Sequence, residues 1–256
     1  MKTSSLCKVL NTERIAEDIY KISVTRPVEW KEIKAGQFFH IKCSEEGKSY
    51  LRRPISICEV EPDQLRFIVR KSGKGTEALC NRKVGDDLDI IGPLGNGFTP
   101  TGERILLVGG GIGTAPLVEL CKTIKSKDVT VLLGFRTEPY LVETFKKYCS
   151  TVEVATEDGS FGVKGYVTAL LEDAMENSPE MIYACGPEIM LKQIQQFGKE
   201  KGIPTQLAME ERMACGVGAC LVCSCKVKAG DDWDYVRTCK EGPVFWGDEV
   251  IFDENN

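Results

Sequence analysis

Four cysteines near the C-terminus restrict what this chain can fold into more than any other feature of its sequence. Cys215, Cys220 and Cys223 form a C-x4-C-x2-C motif, and Cys239 follows further along. This is the spacing of plant-type [2Fe–2S] ligands, in which four thiolates converge on two irons and a tight loop supplies three of them. Two glycines between the first two cysteines allow the loop backbone to pass close to the sulfides. The motif therefore predicts a [2Fe–2S] cluster at Cys215, Cys220, Cys223 and Cys239.

Two other interpretations of these cysteines remain open. Zinc could occupy the site, although zinc sites usually combine paired C-x2-C halves, and the thiols could instead be unligated core residues. The chain has twelve cysteines, and a cysteine cluster without a secretion signal indicates a metal before a disulfide. Cys225 lies just beyond Cys223, and the pattern does not assign its face, so we interpret it as a packing thiol outside the ligand set.

The composition excludes several classes of chemistry. The chain has 256 residues, a formal net charge of −5 and a single histidine, His40. One histidine is too few for an HExxH zinc site or a Rieske cluster, and a Ser-His-Asp hydrolase would have to use His40 as its base. His40 lies in an apolar run, and we interpret it as a partly buried strand residue.

Charge and hydropathy also restrict the partners. Acidic residues outnumber basic ones, 38 to 33, whereas a duplex nucleic-acid binder needs a basic surface. No apolar stretch reaches the roughly 18 residues of a membrane span, and the N-terminal residues lack the apolar core of a signal peptide. We therefore expect a cytoplasmic protein that binds neither nucleic acid nor membrane.

The first hundred residues are predicted to form short strands. Turn signals such as Ala35-Gly36 separate runs of β-branched and aromatic residues. Many strands at this spacing favour a small β-barrel or a sandwich. The predicted strands span 19–24, 37–43, 54–59 and 64–70, and the predicted helix spans 76–81.

From residue 104 onward, strands and helices alternate. Continuous apolar runs are typical of strands buried on both faces of a parallel sheet, and apolar residues at helical spacing lie between them. The alternation predicts an open parallel α/β sheet. The predicted strands span 104–108, 129–135, 151–155 and 181–185, with helices that include 167–175 and one beginning at Pro187. The predicted units are a β-barrel at 1–100, the α/β domain at 101–205 and a small cluster domain at 206–256.

A glycine-rich stretch joins the first α/β strand to the next helix. In such a position the glycines and the helix N-terminus favour a dinucleotide pyrophosphate. Pro116 replaces the third glycine of a full G-x-G-x-x-G, so a plain structural turn remains an alternative. Arg136, not an acidic residue, lies near the expected ribose position, which leaves NADH or NADPH open. The loop residues are Gly109, Gly110, Gly111, Gly113, Thr114 and Pro116.

Three further motifs could contact cofactors. Cys185-Gly186-Pro187 follows a predicted parallel strand, where sheets of this kind bind ligands, although a capped turn with a buried thiol is equally compatible. Arg52 and Arg53 precede Pro54-Ile55-Ser56 and could clamp a phosphate together. Arg70 and the stretch 73–76 lead into a short helix and offer a second anion site. Surface arginines are common, so neither arginine pattern alone establishes a site.

The order of these motifs resembles the ferredoxin–NAD(P) reductase superfamily. Three runs are similar to one branch of it, the electron-transfer subunits of type B, NAD-dependent dihydroorotate dehydrogenase. The runs are Leu51-Arg-Arg-Pro-Ile-Ser-Ile57, Gly109-Gly-Gly-Ile-Gly-Thr-Ala-Pro116 and Glu211-Arg-Met-Ala-Cys-Gly-Val-Gly-Ala-Cys220. The resemblance covers nearly the whole chain and implies an FAD-binding antiparallel barrel, an NAD(H)-binding α/β domain and a C-terminal [2Fe–2S] domain.

The resemblance also implies roles for individual residues. Ser56 would lie near the flavin ring, Arg53 near the pyrophosphate and Cys185 near the nicotinamide, so that Ser56 and Cys185 are the predicted catalytic residues. The predicted FAD contacts are Arg53, Pro54, Ile55, Ser56, Ile68, Val69, Arg70, Gly75 and Thr76. The predicted NAD contacts are the six loop residues from Gly109 to Pro116 together with Cys185, Gly186 and Pro187.

The implied function is electron transfer in pyrimidine biosynthesis. A nicotinamide carries two electrons and a [2Fe–2S] cluster carries one, and a flavin can exchange with both. The implied partner is an FMN-containing dihydroorotate dehydrogenase catalytic subunit in a heterotetramer, because its (β/α)₈ barrel of about 250 residues has no room in this chain. Trp233, Phe245 and Trp246 are the predicted docking residues, with core packing as the alternative. The direction of electron flow is open.

Two other functions remain open. One is a related reductase of the same superfamily that serves a ferredoxin, a hydrogenase or an oxygenase. The other is a zinc-stabilised binding protein without a redox role, which the colour of the purified protein would distinguish.

Overall fold

A computed structural model of the chain describes residues 3–44, 50–124, 128–149 and 151–252. It contains a closed barrel, a seven-stranded sheet and a two-stranded hairpin. None of the helices in the described ranges has the length and apolar character needed to cross a bilayer.

The N-terminal part is an antiparallel barrel. Its elements are β1 (Thr3–Ala16), β2 (Ile19–Thr25), β3 (Phe38–Ile41), β4 (Arg53–Val60), β5 (Gln64–Arg70), α1 (Lys74–Cys80) and β6 (Asp87–Leu94). The strands close in the order β1-β2-β5-β4-β3-β6. Alternate side chains point inward, and Phe39, Ile57 and Phe67 in the interior are fully buried. Of the barrel and the sandwich that the strand spacing allows, the chain forms the barrel.

The central part is a mainly parallel sheet with short crossovers. Its elements are β7 (Arg104–Gly110), α2 (Ala115–Thr123), β8 (Asp128–Phe135), α3 (Val142–Phe145), β9 (Thr151–Thr156), β10 (Val163–Lys164), β11 (Met181–Cys185), α4 (Glu188–Lys201) and β12 (Thr205–Ala208). The stretch 167–175, predicted to be helical, forms two 3-10 helices, Val167–Leu170 and Asp173–Asn177, and not one α-helix. Apolar residues three apart face one side in either kind of helix, so the pattern did not distinguish them.

The C-terminal part returns to the central sheet. A hairpin of β13 (Ser224–Ala229) and β14 (Asp232–Arg237) precedes β15 (Val244–Trp246). The sheet order is β10-β9-β8-β7-β11-β12-β15, with β15 antiparallel to β12. The predicted division at 205/206 therefore falls inside a strand, and the segment after it completes the central sheet.

The helix α2 fixes the barrel against the central sheet. The Val60 N–H of β4 donates to the Glu119 carboxylate at 2.7 Å, and the Lys122 ammonium donates to the Val60 carbonyl and pairs with Glu61. Glu119 is 5% exposed. Since α2 covers β4 at Val60, the outer face of β4 nearer Arg53 lies outside this contact.

Candidate redox site

The central sheet has its topological switch point between β7 and β11. From β7 the chain runs outward on one side to β8, β9 and β10, and it then crosses back to β11 and β12 on the other side of β7. Ligands of open α/β sheets bind at the carboxyl ends of the strands at such a point. In register, Cys185 at the end of β11 lies beside Gly109 at the end of β7. The two motifs predicted to contact a nicotinamide cofactor therefore adjoin.

The glycine-rich loop and the cysteine turn contact each other closely. A Cβ built on Gly113 would lie 2.5 Å from the Cys185 carbonyl oxygen, so only glycine fits there. Thr114 closes the loop, since its hydroxyl donates to the Gly111 carbonyl at 2.9 Å. Pro116 lies in the first turn of α2 and is buried. The loop is thus a rigid cradle that presents backbone to a ligand.

Cys185 adjoins this cradle and packs against the core of the central sheet. Burial, together with the charge of Glu210, raises the pKa of Cys185 to about 12. The group is therefore a neutral thiol at physiological pH, which suits contact with a ring and not nucleophilic attack.

The outer face of β4 carries residues predicted to contact the flavin, and we call its Pro54–Ser56 surface the flavin groove. Ile55 and Ile57 point into the barrel, so Pro54 and Ser56 point outward, where both are half-buried. The next outward residue, Cys58, packs in the core shared with α2. The Pro54–Ser56 surface is therefore open beside the central sheet.

The two neighbouring arginines have different roles. The Arg52 guanidinium pairs with the Asp89 carboxylate at 2.6 Å and donates to the Asp89 carbonyl at 2.7 Å. A clamp made of both arginines is therefore wrong, because Arg52 is used within the barrel. The Arg53 guanidinium donates to the carbonyl of Leu51 at 2.8 Å and lies at the edge of the groove.

The other predicted flavin contacts divide by face. The Val69 side chain points into the barrel core and is 1% exposed, so only its backbone can face a ligand. Ile68 packs in the core shared with the central sheet. Arg70 is exposed, and its Nη2 would lie 3.1 Å from a Cβ built on Gly111. Arg70 therefore connects the flavin groove with the glycine-rich loop.

The start of α1 is closed by its own threonine. The Thr76 hydroxyl accepts the Ser72 N–H at 2.9 Å and the Gly73 N–H at 3.2 Å, and Gly75 is buried. These two N–H groups are therefore used inside the turn.

The four predicted ligand cysteines form two pairs. The thiols of Cys215 and Cys220 interact, as do those of Cys223 and Cys239. Among the residues that the structure describes, no three histidine, cysteine or carboxylate side chains converge tightly enough to hold one metal ion. Four thiols, three of them on one C-x4-C-x2-C loop, are a donor set that fits a dinuclear iron–sulfur cluster.

The loop also supplies donors to the sulfurs. Although burial opposes the shift, the N–H groups of Val217, Ala219 and Cys220 and the Cys220 thiol lower the pKa of Cys215 to about 6. The Ala219 N–H lies 3.3 Å from the Cys215 sulfur. This donor set favours the thiolate that binds iron.

The two pairs differ in burial. Cys223 and Cys239 form the inner pair, which is buried with Phe38 and Leu94 on the outer face of the barrel. Cys215 and Cys220 form the outer pair, and Cys220 is exposed. Cys225 packs in a separate core with Val250 and Phe252. It is therefore a packing thiol, away from the inner pair.

Comparison with known proteins identifies the family. Residues 210–251 match the iron–sulfur cluster binding domain of dihydroorotate dehydrogenase B, and residues 107–196 match an oxidoreductase NAD-binding domain. The electron transfer subunit of dihydroorotate dehydrogenase B (NAD(+)) from Caldanaerobacter subterraneus subsp. tengcongensis is 42% identical over 98% of this chain and 100% of its own length. The chain belongs to this family of electron transfer subunits.

Two further comparisons agree with this assignment. The electron transfer subunit from Clostridium acetobutylicum is 39% identical over 96% of this chain and 97% of its own length. A solved structure of an NADH-dependent reduced ferredoxin–NADP oxidoreductase is 32% identical, has a TM-score of 0.85 and covers 99% of this chain and 92% of that one. The predicted ferredoxin-reductase-like architecture is confirmed.

The chain is an NAD-linked oxidoreductase subunit whose cofactors are FAD, a [2Fe–2S] cluster and NAD(H). This confirms the predicted cofactors and replaces the alternative of a zinc-stabilised binding protein. The residues that hold each cofactor remain predictions.

Sequence reasoning missed the outward residues of β3. Phe38 and His40 are 2% and 1% exposed although they point away from the barrel interior, because the cluster segment (residues 209–252) covers them. His40 is therefore fully buried, and the prediction of partial burial was wrong. Burial, together with the charge of Arg52, lowers the pKa of His40 to about 4. Strand alternation predicts that Phe38 and His40 share one face of β3. Nothing in the neighbouring sequence indicates that the cluster segment packs on that face.

The predicted docking residues also differ from one another. Phe245 is 7% exposed and packs in the core, so it is wrong as a docking residue. Trp233 and Trp246 are 47% and 37% exposed. A cavity of about 240 Å³ lies between the Gly186-Pro187 turn and the hairpin, with Glu188, Glu210 and Glu211 in its walls.

Proposed function

We propose that this chain passes electrons between NAD and the FMN of a dihydroorotate dehydrogenase catalytic subunit, in pyrimidine biosynthesis. One observation carries the proposal: β3 lies between the flavin groove and the cysteine pairs. Phe38 is opposite Ser56 on β4 and packs with Cys223 and Cys239 on its other side. Neighbouring strands are about 4.8 Å apart, so one side chain separates the two cofactor sites.

At the nicotinamide end, the chain binds and orients the nicotinamide cofactor. We assign the pyrophosphate to the backbone of Gly109–Pro116, with Gly186 and Pro187 completing the cradle. Cys185 presents a neutral thiol beside it. Arg70 joins this cradle to the flavin groove, so a nicotinamide and a flavin would share one wall.

At the flavin end, Arg53 and Ser56 have separate tasks. Arg53 lies at the groove edge and supplies a fixed positive charge for the pyrophosphate. Ser56 offers a hydroxyl on the groove floor, and Pro54 and Ile55 hold the strand that carries it. When bound, the flavin and the cluster supply the exchange between two-electron and one-electron carriers.

At the partner end, the outer cysteine pair lies in an apolar rim. Val217, Leu221 and Val222 are 41%, 64% and 53% exposed around the exposed Cys220. Apolar residues beside a redox centre favour a protein partner over bulk water. We therefore assign the docking of the catalytic subunit to this rim and propose that the complex is a heterotetramer.

Native mass spectrometry tests the proposal. The chain is co-expressed anaerobically with a dihydroorotate dehydrogenase catalytic subunit, and iron, sulfide, FAD and FMN are quantified in the complex. We expect a heterotetramer with a [2Fe–2S] cluster and FAD in each copy of this chain. A chain that carries no iron and no flavin, or that never associates, would contradict the proposal.

A matched pair of variants locates the interface. Leu221→Asp places a charge in the rim and is expected to abolish the complex while FAD stays bound. Val84→Asp places the same charge at another exposed apolar residue, which lies beside the barrel and is 71% exposed, and it is expected to leave the complex intact. If the two variants bind the partner equally, the rim is not the interface.

A second candidate function rests on the similarity to the solved ferredoxin–NADP oxidoreductase. In that case the rim would receive a ferredoxin or another electron-transfer partner. Reduction of the cluster by reduced ferredoxin, with no electron transfer from dihydroorotate through the co-expressed subunit, would favour it. A cytoplasmic location remains the prediction made from the sequence.

A further inference from the structure

The chain places its one histidine between the two redox sites. His40 lies on the outward face of β3, opposite Pro54 on the flavin strand β4 and beside Ile91 on β6. Its ring contacts the cluster loop on the far side. The histidine thus touches the strand assigned to FAD and the loop assigned to the cluster.

The contact with the cluster loop is tight. A Cβ built on Gly216 would lie 2.6 Å from Nδ1 of His40 and 3.0 Å from its Cγ. Gly216 also has a φ of +67°, which side chains rarely adopt. The loop residue that follows the ligand Cys215 is therefore a glycine both for its conformation and for the ring that lies against it.

The polar atoms of this ring are buried without partners. Neither Nδ1 nor Nε2 of His40 has a hydrogen-bond partner within the described part of the chain, and the residue is 1% exposed. Interactions with the backbone carbonyls of Arg52 and Cys215 act to raise the pKa of His40 but satisfy neither ring nitrogen as a hydrogen bond. Buried polar groups are nearly always hydrogen-bonded, and an exception points to an ion or ligand that completes it.

Phe38, the next residue on the same face of β3, shows that an apolar side chain can pack against the cluster segment. Phe38 fills the corresponding space against Cys223 and Cys239 with an apolar ring. An apolar side chain at position 40 would pack against Gly216 in the same way and would leave no polar atom unpaired. We therefore attribute the choice of histidine to the hydrogen bond that its ring N–H can donate beside the cluster.

We propose that His40 is a positioning residue for the iron–sulfur site, whose ring N–H is reserved for the loaded Cys215–Gly216 loop. The proposal rests on the proposed assignment of the cluster to the four cysteines. Outer partners of metal ligands orient the ligands and tune the centre, and hydrogen bonds near the sulfurs change the properties of a cluster. A group from the barrel thereby fixes the cluster relative to the flavin groove.

Two substitutions at this position separate hydrogen bonding from packing. His40→Leu replaces the ring with an apolar side chain of similar volume and so removes both nitrogens. His40→Asn retains an N–H donor close to the position of Nδ1. Phe39→Leu is the control, because Phe39 is on the same strand but points into the barrel interior.

The readouts are the electron paramagnetic resonance spectrum of the reduced cluster and the rate at which a chelator bleaches it, in the full chain with FAD bound. We expect His40→Leu to change the spectrum and to lose the cluster about tenfold faster. His40→Asn is expected to resemble the wild type. Phe39→Leu is expected to lower the unfolding temperature without changing the spectrum.

The outcomes separate this proposal from the proposed function. If His40→Leu matches the wild type, or if His40→Asn is as defective as His40→Leu, the ring acts only by packing and the proposal is overturned. If the wild-type chain itself has no [2Fe–2S] signal, the assignment of the cluster fails first and the proposal fails with it.

Discussion

The barrel and the cluster segment reach their folded shapes by different means. The barrel encloses a continuous apolar core in which Trp30, Phe39 and Phe67 are fully buried and contact one another as a chain of rings. The cluster segment exposes Leu221, Trp233 and Tyr235 at 64%, 47% and 56%. Its buried residues pack onto the barrel or the central sheet. Such a small piece needs its neighbours and its metal to stay ordered.

The barrel and the cluster segment should therefore respond differently to mutation. Apolar burial is a property of many side chains, so the barrel should lose free energy gradually with each truncation. The cluster segment is predicted to depend on four ligands, so loss of one should remove the cluster completely. The following predictions test this contrast, beginning with the largest effect.

Cys220→Ser is expected to remove the cluster almost completely while FAD stays bound, because the ligand is lost but the flavin groove is on the barrel. Iron and flavin content measured on one sample check this. Cys225→Ser is the control, since Cys225 packs in another core, and its iron content should match the wild type. Loss of iron in both variants would mean that the segment unfolds whenever any of its thiols changes.

Phe67→Ala is expected to lower the free energy of unfolding of the barrel by about 3–5 kcal/mol, since it deletes a fully buried ring. Chemical denaturation followed by flavin release measures it. Trp233→Ala, on the exposed hairpin, should change the free energy by only about 1 kcal/mol, because the aromatic and cation–π contacts of its ring are with Tyr235 and Lys226. Similar losses in both variants would remove the contrast between the two regions.

Arg53→Ala is expected to weaken FAD binding about ten- to hundredfold, as expected for the loss of a charged hydrogen-bond donor. Titration of the flavin-free chain with FAD gives the dissociation constant. Arg14→Ala removes an exposed arginine from β1 on the same barrel and should leave the constant unchanged. An unaltered constant in Arg53→Ala would exclude Arg53 from the flavin site.

Glu211→Gln is expected to have the smallest effect and to depend on pH. Burial, with the charges of Glu188 and Glu210, raises the pKa of Glu211. A carboxyl that holds its proton more tightly when folded costs stability at high pH, and the cost disappears as the pH falls below its unfolded pKa. We expect an increase of about 1–2 °C in melting temperature near neutral pH.

Melting curves of this variant at about pH 8 and about pH 5 provide the check, because the gain should shrink at the lower value. Lys226 and Tyr235 line the same cavity and do not change between the two proteins. Glu176→Gln, at an exposed position, should show no gain at either pH. An equal gain for Glu211→Gln at both values would show that charge is not the cause.

The sequence predicted features that depend on local patterns. The strands β5 and β11 agree with their predicted bounds to the residue, since their apolar runs are bounded by turn residues. The cysteine spacing gave the set of four thiols but not their arrangement as an inner and an outer pair. In contrast, β1 was missed because it is rich in polar residues, and β6 because it contains Gly92-Pro93, which is atypical of a strand interior.

Features that depend on distant pairing could not be predicted. The position of Ser56 opposite Phe38 requires the register of β3 and β4. The burial of His40 requires the cluster segment to lie on the outer face of the barrel. The separation of Arg52 from Arg53 requires Asp89 on β6. In each case the deciding neighbour is far along the chain, and no local pattern encodes it.

The return of the chain into β15 has a consequence for how this subunit works. The segment that carries the cysteine loop is anchored at both ends, because β12 precedes it, β15 follows it, and these two strands pair in the central sheet. The Asn96 amide beside the barrel also donates to the Glu241 carbonyl at 2.8 Å. A carrier anchored in this way cannot swing between donor and acceptor like a tethered arm. Under the proposed function, the catalytic subunit would therefore have to reach the cluster at a fixed position on this chain.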